Sequence, residues 1–466
     1  MTGAGERPAG LSRGFLPRSA LQKLEPTSVA SLDLEGSLSL LTPEGQPPPP
    51  GRRDCLLLVR LHEDPLAVVH LEKDPAAVQP AELAAGVWRL AGKEIRRHAK
   101  RFNCLEAVPE RADDLLDGVR SKTGNCPGAK RIGRAGLGAV ILSTTGGDPP
   151  QLRRCLNSLT KQQCENFEVV VVDNRPGRGD TRAIVEEVSD GRPRVRYVPE
   201  QRAGLSVARN RGLTETDAEL VAFTDDDVVV DPLWLDWLLD PFSDPSVTAS
   251  CGMVLPFELE TEAQKRFELY LGFSRGVQRR EHDLQTGLAA GVPFYPFLAD
   301  IFGSGNSMAF RREELRETGG FDPALGAGSP THAGEETDAF SRTVLRGGRI
   351  IYQPRALSWH QHRRDNEALQ TQIFGYGVGV GALITKALTH DRRFYRAAAA
   401  QVLSLASGAI FPSAGGGWPL DATGADDRSG ELLRARRAGI AQGPYRYLQG
   451  MARARRLGLR RMGPSP

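Results

Sequence analysis

The stretch 220–232 constrains this chain more than any other. Leu220-Val221-Ala222-Phe223-Thr224 is an apolar run of strand character, and it breaks into three consecutive carboxylates, Asp225-Asp226-Asp227, before Val228-Val229-Val230-Asp231-Pro232. A short apolar run bounded in this way reads as a strand buried on both faces of a parallel sheet. Open α/β sheets bind ligands outside the carboxyl ends of such strands. Three adjacent acids repel one another and call for a counter-charge, most simply a divalent cation taking oxygen ligands. An Asp-x-Asp pair at a strand end suits Mg²⁺ or Mn²⁺ held against a diphosphate. For the triplet alone, a solvated acidic turn is the plainer alternative.

The residues before this strand repeat one pattern. Ala139-Val140-Ile141-Leu142-Ser143 is a strand, and a glycine-rich turn over 145–150 leads into a helix that buries Leu152, Cys155, Leu156 and Leu159. Phe167-Glu168-Val169-Val170-Val171-Val172 follows, ending at Asp173-Asn174, then a helix over about 181–188, a strand over 195–198 and a helix opening at Gly204. Strands alternating with helices of this length argue for parallel βαβ units. Ahead of them, residues 1–50 are mixed and proline-rich and read as a poorly ordered lead-in. Residues 51–120 read as a small α/β module, with a hairpin turning at Glu63-Asp64-Pro65 and a helix from Pro80 to about Phe102. Residues 121–136 read as a polar linker, 137–365 as the main α/β domain and 366–466 as a helical, basic region.

A net charge of +3 over 466 residues gives no field that would draw nucleic acid. The six cysteines form no C-x-x-C pair, which suits reduced thiols and a cytoplasmic location. No apolar secretory core follows the first basic residues, and the longest apolar patch, 397–411, is interrupted by Gln401 and serines. A soluble or peripheral protein is expected. Between residues 428 and 466, ten arginines face one acid, Glu431, with Tyr445, Tyr447, Leu448, Met451, Leu457 and Leu459 among them. That mixture suits an anionic membrane surface; a solvated basic helix or tail is the alternative. Gly136-Leu137-Gly138 precedes a strand and is no dinucleotide fingerprint. The glycines over 375–381 read as close helix packing.

Several of these segments, in order, resemble family-2 glycosyltransferases. They are Val140-Ile141-Leu142-Ser143-Thr144, the 152–159 helix, 167–174, Gly204-Leu205-Ser206-Val207-Ala208-Arg209-Asn210-Arg211-Gly212 and Asp225-Asp226-Asp227. The likeness runs on through 303–311, Gly320-Phe321-Asp322, Gly334-Glu335-Glu336-Thr337-Asp338 and Trp359-His360, so that it covers roughly 138–365. It implies a GT-A fold, a Rossmann-like mixed sheet flanked by helices. It also implies inverting transfer of a sugar from a nucleotide-sugar to a hydroxyl acceptor (a glycan, lipid or small molecule), with Mn²⁺ or Mg²⁺ as cofactor.

The resemblance assigns roles residue by residue. Asp173 would contact the base, since a carboxylate at a strand end can accept from a pyrimidine N–H, and this suggests a UDP- or dTDP-sugar. An Asx turn is its alternative. Thr144 would lie beside the nucleoside, Arg209 and Asn210 would line the nucleotide pocket, and Asp225 and Asp226 would face the donor. Asp225, Asp227 and His360 would hold the metal. Gly303, Gly305 and Asn306 would form the acceptor-side loop. Inverting transfer needs one general base for the acceptor hydroxyl, and Glu335-Glu336 occupy the family's Glu-Asp motif. Glu336 stands where an aspartate is usual, a departure that moves the carboxylate by about a bond length. Asp338 offers a second candidate, and an acidic helix start is the bland reading of all three acids. Two other functions remain open. A nucleotidyltransferase should carry a basic residue in the glycine turn after the first strand, and Thr144-Thr145-Gly146-Gly147-Asp148 has none. A non-catalytic nucleotide-sugar-binding protein would tolerate the change at Glu336.

Overall fold

The computed structural model describes residues 21–22, 25–122, 138–177, 179–189, 194–289, 294–297, 301–390, 395, 427–459 and 462. The expected linker beyond Lys122 and the apolar patch at 397–411 lie outside them.

The small module is a four-stranded sheet under one helix. Its strands are β1 (Thr27–Asp33), β2 (Leu40–Leu41), β3 (Asp54–Leu61) and β4 (Asp64–Leu71), in the order β2-β1-β3-β4 with only β1 and β3 parallel. The expected lead-in over 1–50 is thus corrected: β1 and β2 lie inside it and complete the sheet. Small residues hid β1, whose Ala30 and Leu32 pack toward the helix while Val29 packs on the opposite face. The hairpin turns at His62 and Glu63, one residue earlier than expected, with φ of 53° and 62°. Positive φ at both central residues gives the two-residue turn whose twist matches its strands. Helix α1 (Pro80–Phe102) starts on a proline and ends at Asn103 in the left-handed region. Its Leu83, Val87, Ala91, Ile95 and Ala99 form one face and pack with Leu57, Val59 and Leu61.

The large domain runs through β5 (Gly138–Thr144), α2 (Pro149–Leu159), β6 (Phe167–Asp173), α3 (Thr181–Val188), β7 (Arg194–Pro199), α4 (Leu205–Thr214), β8 (Leu220–Asp225), β9 (Val228–Val230) and α5 (Trp234–Leu239). It continues with β10 (Val247–Pro256), α6 (Glu262–Tyr270), β11 (Arg280–His282), α7 (Leu284–Ala289), β12 (Met308–Arg311), α8 (Arg312–Glu317), α9 (Glu335–Leu345) and β13 (Arg349–His360). The sheet order is β11-β13-β10-β12-β8-β5-β6-β7, with β9 added on β13. Strands β7, β6, β5 and β8 are parallel, and β12 runs antiparallel between β8 and β10. This is the mixed sheet that the resemblance implied.

Alternation along the strands sends side chains to two cores. Ile141, Val170, Val172 and Phe223 meet Ala208, Leu213 and Phe340 of α4 and α9 on one face. Val140, Leu142, Val169 and Val171 meet Leu152, Leu156, Ile184 and Trp234 of α2, α3 and α5 on the other. The small module is tied to this domain by ion pairs from Arg60 to Asp231 (2.7 Å) and from Arg355 to Asp64 (2.9 Å).

Two long helices, α10 (Asn366–His390) and α11 (Asp427–Arg456), close the molecule. They cross where Gly377 and Gly381 meet Gly439 and Gly443. A Cβ on Gly377 would lie 2.2 Å from the Arg436 carbonyl oxygen, and one on Gly381 2.3 Å from that of Ile440. Close packing is therefore the structural use of the 375–381 glycines, and the basic segment is a packed helix over much of its length.

Candidate active site

The register of the parallel strands brings Thr144, Asp173 and Asp225, three of the expected positions, to one edge. Thr144 pairs with Asp173 across β5 and β6, and Ser143 pairs with Asp225 across β5 and β8. After Asp227 the chain enters β9, which runs antiparallel to β13 with Val228 opposite His360. That pairing sets His360 Nε2 3.3 Å from Asp227 Oδ2. Burial alone would push the Asp227 carboxyl up and the His360 imidazole down. Their mutual attraction outweighs it, so the Asp227 pKa is lowered and the His360 pKa raised. His360 Nδ1 lies 2.8 Å from His362 Nδ1, and His362 Nε2 lies 2.5 Å from Glu268 Oε1.

The other two acids are shifted the opposite way. Burial and the neighbouring Asp227 push Asp226 up to about 7, although Thr144 donates its hydroxyl to Asp226. Burial also raises Asp225, against the pull of Arg209. Asp227 Oδ1 is buried and has no hydrogen-bond partner among the described residues. Asp225, Asp227 and His360 together offer two carboxylates and an imidazole, a donor set that fits a hard divalent cation.

Asp225, Asp227 and His360 open onto a cavity of about 790 Å³, whose other walls include Arg209, Gly303, Gly305, Asn306, Glu335 and Glu336. Arg209 is 1% exposed and organises this wall. Its guanidinium donates to Glu335 Oε1 (3.1 Å), to Asp225 Oδ1 (3.3 Å) and to the Gly305 carbonyl (3.0 Å). Burial and the adjacent Glu336 push Glu335 up to about 8, with Arg209 opposing. Glu336 sits half-buried on the wall, and no hydrogen bond or ion pair joins its carboxylate to the described residues. Gly305 makes room for it, because a Cβ there would lie 3.2 Å from Cβ and Cγ of Glu336. Gly303 has φ of 145° and backs onto Cys251, whose Cβ would meet an added methyl at 2.3 Å.

Other expected residues lie off this cavity. Asp338 is turned into the protein, with Oδ1 2.5 Å from Lys386 Nζ and Oδ2 accepting from Arg342 at 2.9 Å. Burial would raise its pKa, but those two cations outweigh burial and lower it. Asn210 exchanges hydrogen bonds with the Phe321 backbone, donating to its carbonyl at 2.7 Å and accepting from its N–H at 2.8 Å. Asp173 is 2% exposed and accepts from the Arg175 N–H and from the Tyr197 hydroxyl, each at 3.0 Å. It thus makes the Asx-type contact held open as its alternative. Thr144 pairs with Asp226 beside it. Sequence reasoning missed Arg275, Arg363, Gln372, Tyr376 and Arg436 on the cavity wall. It also missed Glu268 behind the histidines. None belongs to a local motif.

Parts of this chain are similar to known proteins. Residues 140–312 match the model of glycosyl transferase family 2. The pre-mycofactocin glycosyltransferase of Mycobacterium tuberculosis is 30% identical over 160 residues, 34% of this chain and 30% of that protein. The chain therefore matches about a third of the length of that relative. The glucosyl-dolichyl phosphate glucuronosyltransferase of Haloferax volcanii is 23% identical over 253 residues, 52% of this chain and 75% of that protein. Among solved structures, the mannosyltransferase PcManGT from Pyrobaculum calidifontis, in complex with GDP-Man and Mn²⁺, superposes with a TM-score of 0.40 at 18% identity. That superposition covers 68% of this chain and 86% of the other. Over residues 140–312, which include the carboxylate turn and the loop at Gly303, this chain is thus similar to glycosyl transferase family 2.

Proposed function

We propose that this protein is an inverting glycosyltransferase that moves a sugar from a UDP- or dTDP-linked donor to a hydroxyl acceptor, assisted by Mn²⁺ or Mg²⁺. The observation that carries the reading is the uncommitted carboxylate of Glu336, which shares one cavity with Asp225, Asp227 and His360. A base must be close to the acceptor and free of an ion pair to take its proton, and Glu336 meets that condition where Asp338 does not. Burial and the adjacent Glu336 hold the Glu335 pKa above the usual carboxylate value, which lessens the second charge beside Glu336.

Asp225, Asp227 and His360 would hold the cation, which supplies charge neutralisation to the departing diphosphate. Arg209 bonds both Glu335 and the Gly305 carbonyl, and so joins the start of α9 to the acceptor-side loop. On the donor side, each Asp173 oxygen retains a lone pair that a uracil or thymine N–H can use. The acceptor would enter beneath α10 and α11, where Gln372, Tyr376 and Arg436 form the wall. No helix among the described residues is long and apolar enough to cross a membrane. Exposed Arg434, Arg437, Arg455 and Arg456 with Tyr445 and Leu448 on α11 support peripheral attachment to an anionic surface.

The test is a thermal-shift panel of nucleotide-sugars with Mn²⁺ or EDTA, followed by product analysis. A UDP- or dTDP-sugar should raise Tm in Mn²⁺ and fail to do so in EDTA or in Asp227→Asn. Stabilisation by GDP-sugars alone would contradict the donor assignment. A chain that no nucleotide-sugar stabilises or reacts with would overturn the reading.

A further inference from the structure

A second cluster of donor atoms lies in the small module, remote from the cavity. One ligand atom from each of His62, His98 and Cys104 falls within 4.8 Å of the other two, and all three residues are buried. They come from two places in the fold. His62 is at the tip of the β3–β4 hairpin, while His98 lies in the last turns of α1 and Cys104 just beyond it. From these residues we propose a transition-metal site that takes Zn²⁺.

Hydrogen bonding outside the cluster sets the imidazole tautomers. Ser121 donates its hydroxyl to Glu35 Oε1 at 2.5 Å, so its oxygen is left to accept from His62 Nε2, also 2.5 Å away. Glu35 Oε1 itself lies 3.3 Å from His62 Nε2. The proton of His62 is thereby on Nε2, and Nδ1 carries a bare lone pair. His62 is 2% exposed, and its Nδ1 has no hydrogen-bond partner among the described residues. A buried acceptor left without a donor is unfavourable, and a metal ion would satisfy it. His98 shows the same outer arrangement: its Nδ1 lies 3.2 Å from Asp64 Oδ2. With Nδ1 on Asp64, a metal would take His98 through Nε2. A carboxylate or hydroxyl behind each ligating imidazole is the usual support of a metal-bound histidine.

Two imidazoles and a thiolate form a set that selects Zn²⁺ over the Mg²⁺ or Mn²⁺ suited to the carboxylates of the cavity. Tetrahedral bonds of about 2.0 Å to nitrogen and 2.3 Å to sulfur place ligand atoms about 3.3–3.6 Å apart. The 4.8 Å bound is therefore met by a modest inward shift, with water as the fourth ligand. Binding replaces the thiol proton of Cys104 by the metal, and that proton leaves to solvent. The other cluster in the module, Asp54, His70 and Glu72, carries no such case. His70 Nε2 already pairs with Asp54 at 3.0 Å, and Glu72 is exposed. A metal at His62, His98 and Cys104 would pin the hairpin tip to the end of α1. Asp64, which backs His98, also holds Arg355 of β13, so the pinned corner is the one that meets the large domain.

The test uses the full-length chain, purified without chelator. Elemental analysis should find about one Zn²⁺ per chain, retained in Asp227→Asn. Exchange with Co²⁺ should give a thiolate-to-cobalt charge-transfer band in the near ultraviolet, which oxygen and nitrogen donors of the cavity do not produce. Cys104→Ser should abolish that band and His62→Gln should lower the bound Zn²⁺ at least tenfold. The wild-type metal content and cobalt spectrum decide the matter even if either variant fails to fold. A wild-type chain that retains no transition metal and gives no cobalt–thiolate band would overturn the proposal, as would a band that persists in Cys104→Ser.

Discussion

His360 Nε2 faces Asp227 Oδ2 at 3.3 Å, and the pairing of β9 with β13 puts it there. Behind the pair, His362 and Glu268 complete a buried chain of hydrogen bonds. Glu268 accepts from His362 Nε2, which leaves His362 Nδ1 to accept from His360 Nδ1. His360 Nε2 is then turned to Asp227, as a donor when the ring is charged and as a lone pair when it is neutral. Four side chains thus fix one ring nitrogen on the wall of the cavity.

A different histidine should govern stability in mild acid. His282 is buried against Phe302, its Nε2 lacks a partner among the described residues, and burial with Arg280 nearby lowers its pKa to about 4. An imidazole of ordinary pKa near 6.5 in the unfolded chain binds its proton before the folded one does. Stability is therefore complete above about pH 6.5 and falls as pH drops toward 4, by ~3 kcal/mol in all. Urea titrations at pH 7 and 4.5 should show that loss in the wild type and a smaller one in His282→Phe. Equal losses would contradict this role for His282.

The crossing of α10 and α11 should resist any side chain. In Gly381→Val the new Cβ would press on the Ile440 carbonyl at 2.3 Å and on Gly443 Cα at 2.9 Å, both backbone atoms that cannot turn aside. A destabilisation of about 2 kcal/mol or more is expected, measured as a lower denaturant midpoint. An unchanged midpoint would mean the helices do not cross at these glycines.

Much of this arrangement was legible in the sequence. The strands β5 and β8 carry unbroken apolar runs and β6 carries one from Val169 to Val172, and each ends in a polar residue of the site edge, so the pattern located both strand and edge. β13 is harder to read from sequence, because Pro354 interrupts it, yet the strand runs from Arg349 to His360 across a register shift between Gln353 and Leu357. A proline lacks the ladder N–H and is tolerated at such an irregularity. Asp338 and Glu336 could not be told apart from spacing, because the distinction is made by Lys386, which arrives from a distant helix. Tyr376 and Arg436 were invisible for the same reason: the crossing of α10 and α11 sets which of their residues face the cavity.

The surface arginines of α11 separate attachment from folding. Removing the whole helix would strip α10 of its partner and take Arg436 from the cavity wall. Charge reversal of the exposed residues is the cleaner change. Arg434→Glu, Arg437→Glu and Arg455→Glu together should cut binding to anionic vesicles at least tenfold at about 0.1 M salt. Thermal stability should stay within a few degrees of wild type. Vesicle binding equal to wild type would reject peripheral attachment through this face.

The role of Glu336 is tested most directly by single-turnover sugar transfer in Glu336→Gln, with donor affinity measured in parallel. The account expects transfer to fall by a factor on the order of 100 or more, with donor binding nearly unchanged, because the carboxylate serves the acceptor. Glu336→Asp should retain part of the activity. Asp338→Asn should lose stability through Arg342 and Lys386 more than it loses transfer in the folded fraction. Wild-type transfer by Glu336→Gln would contradict the account.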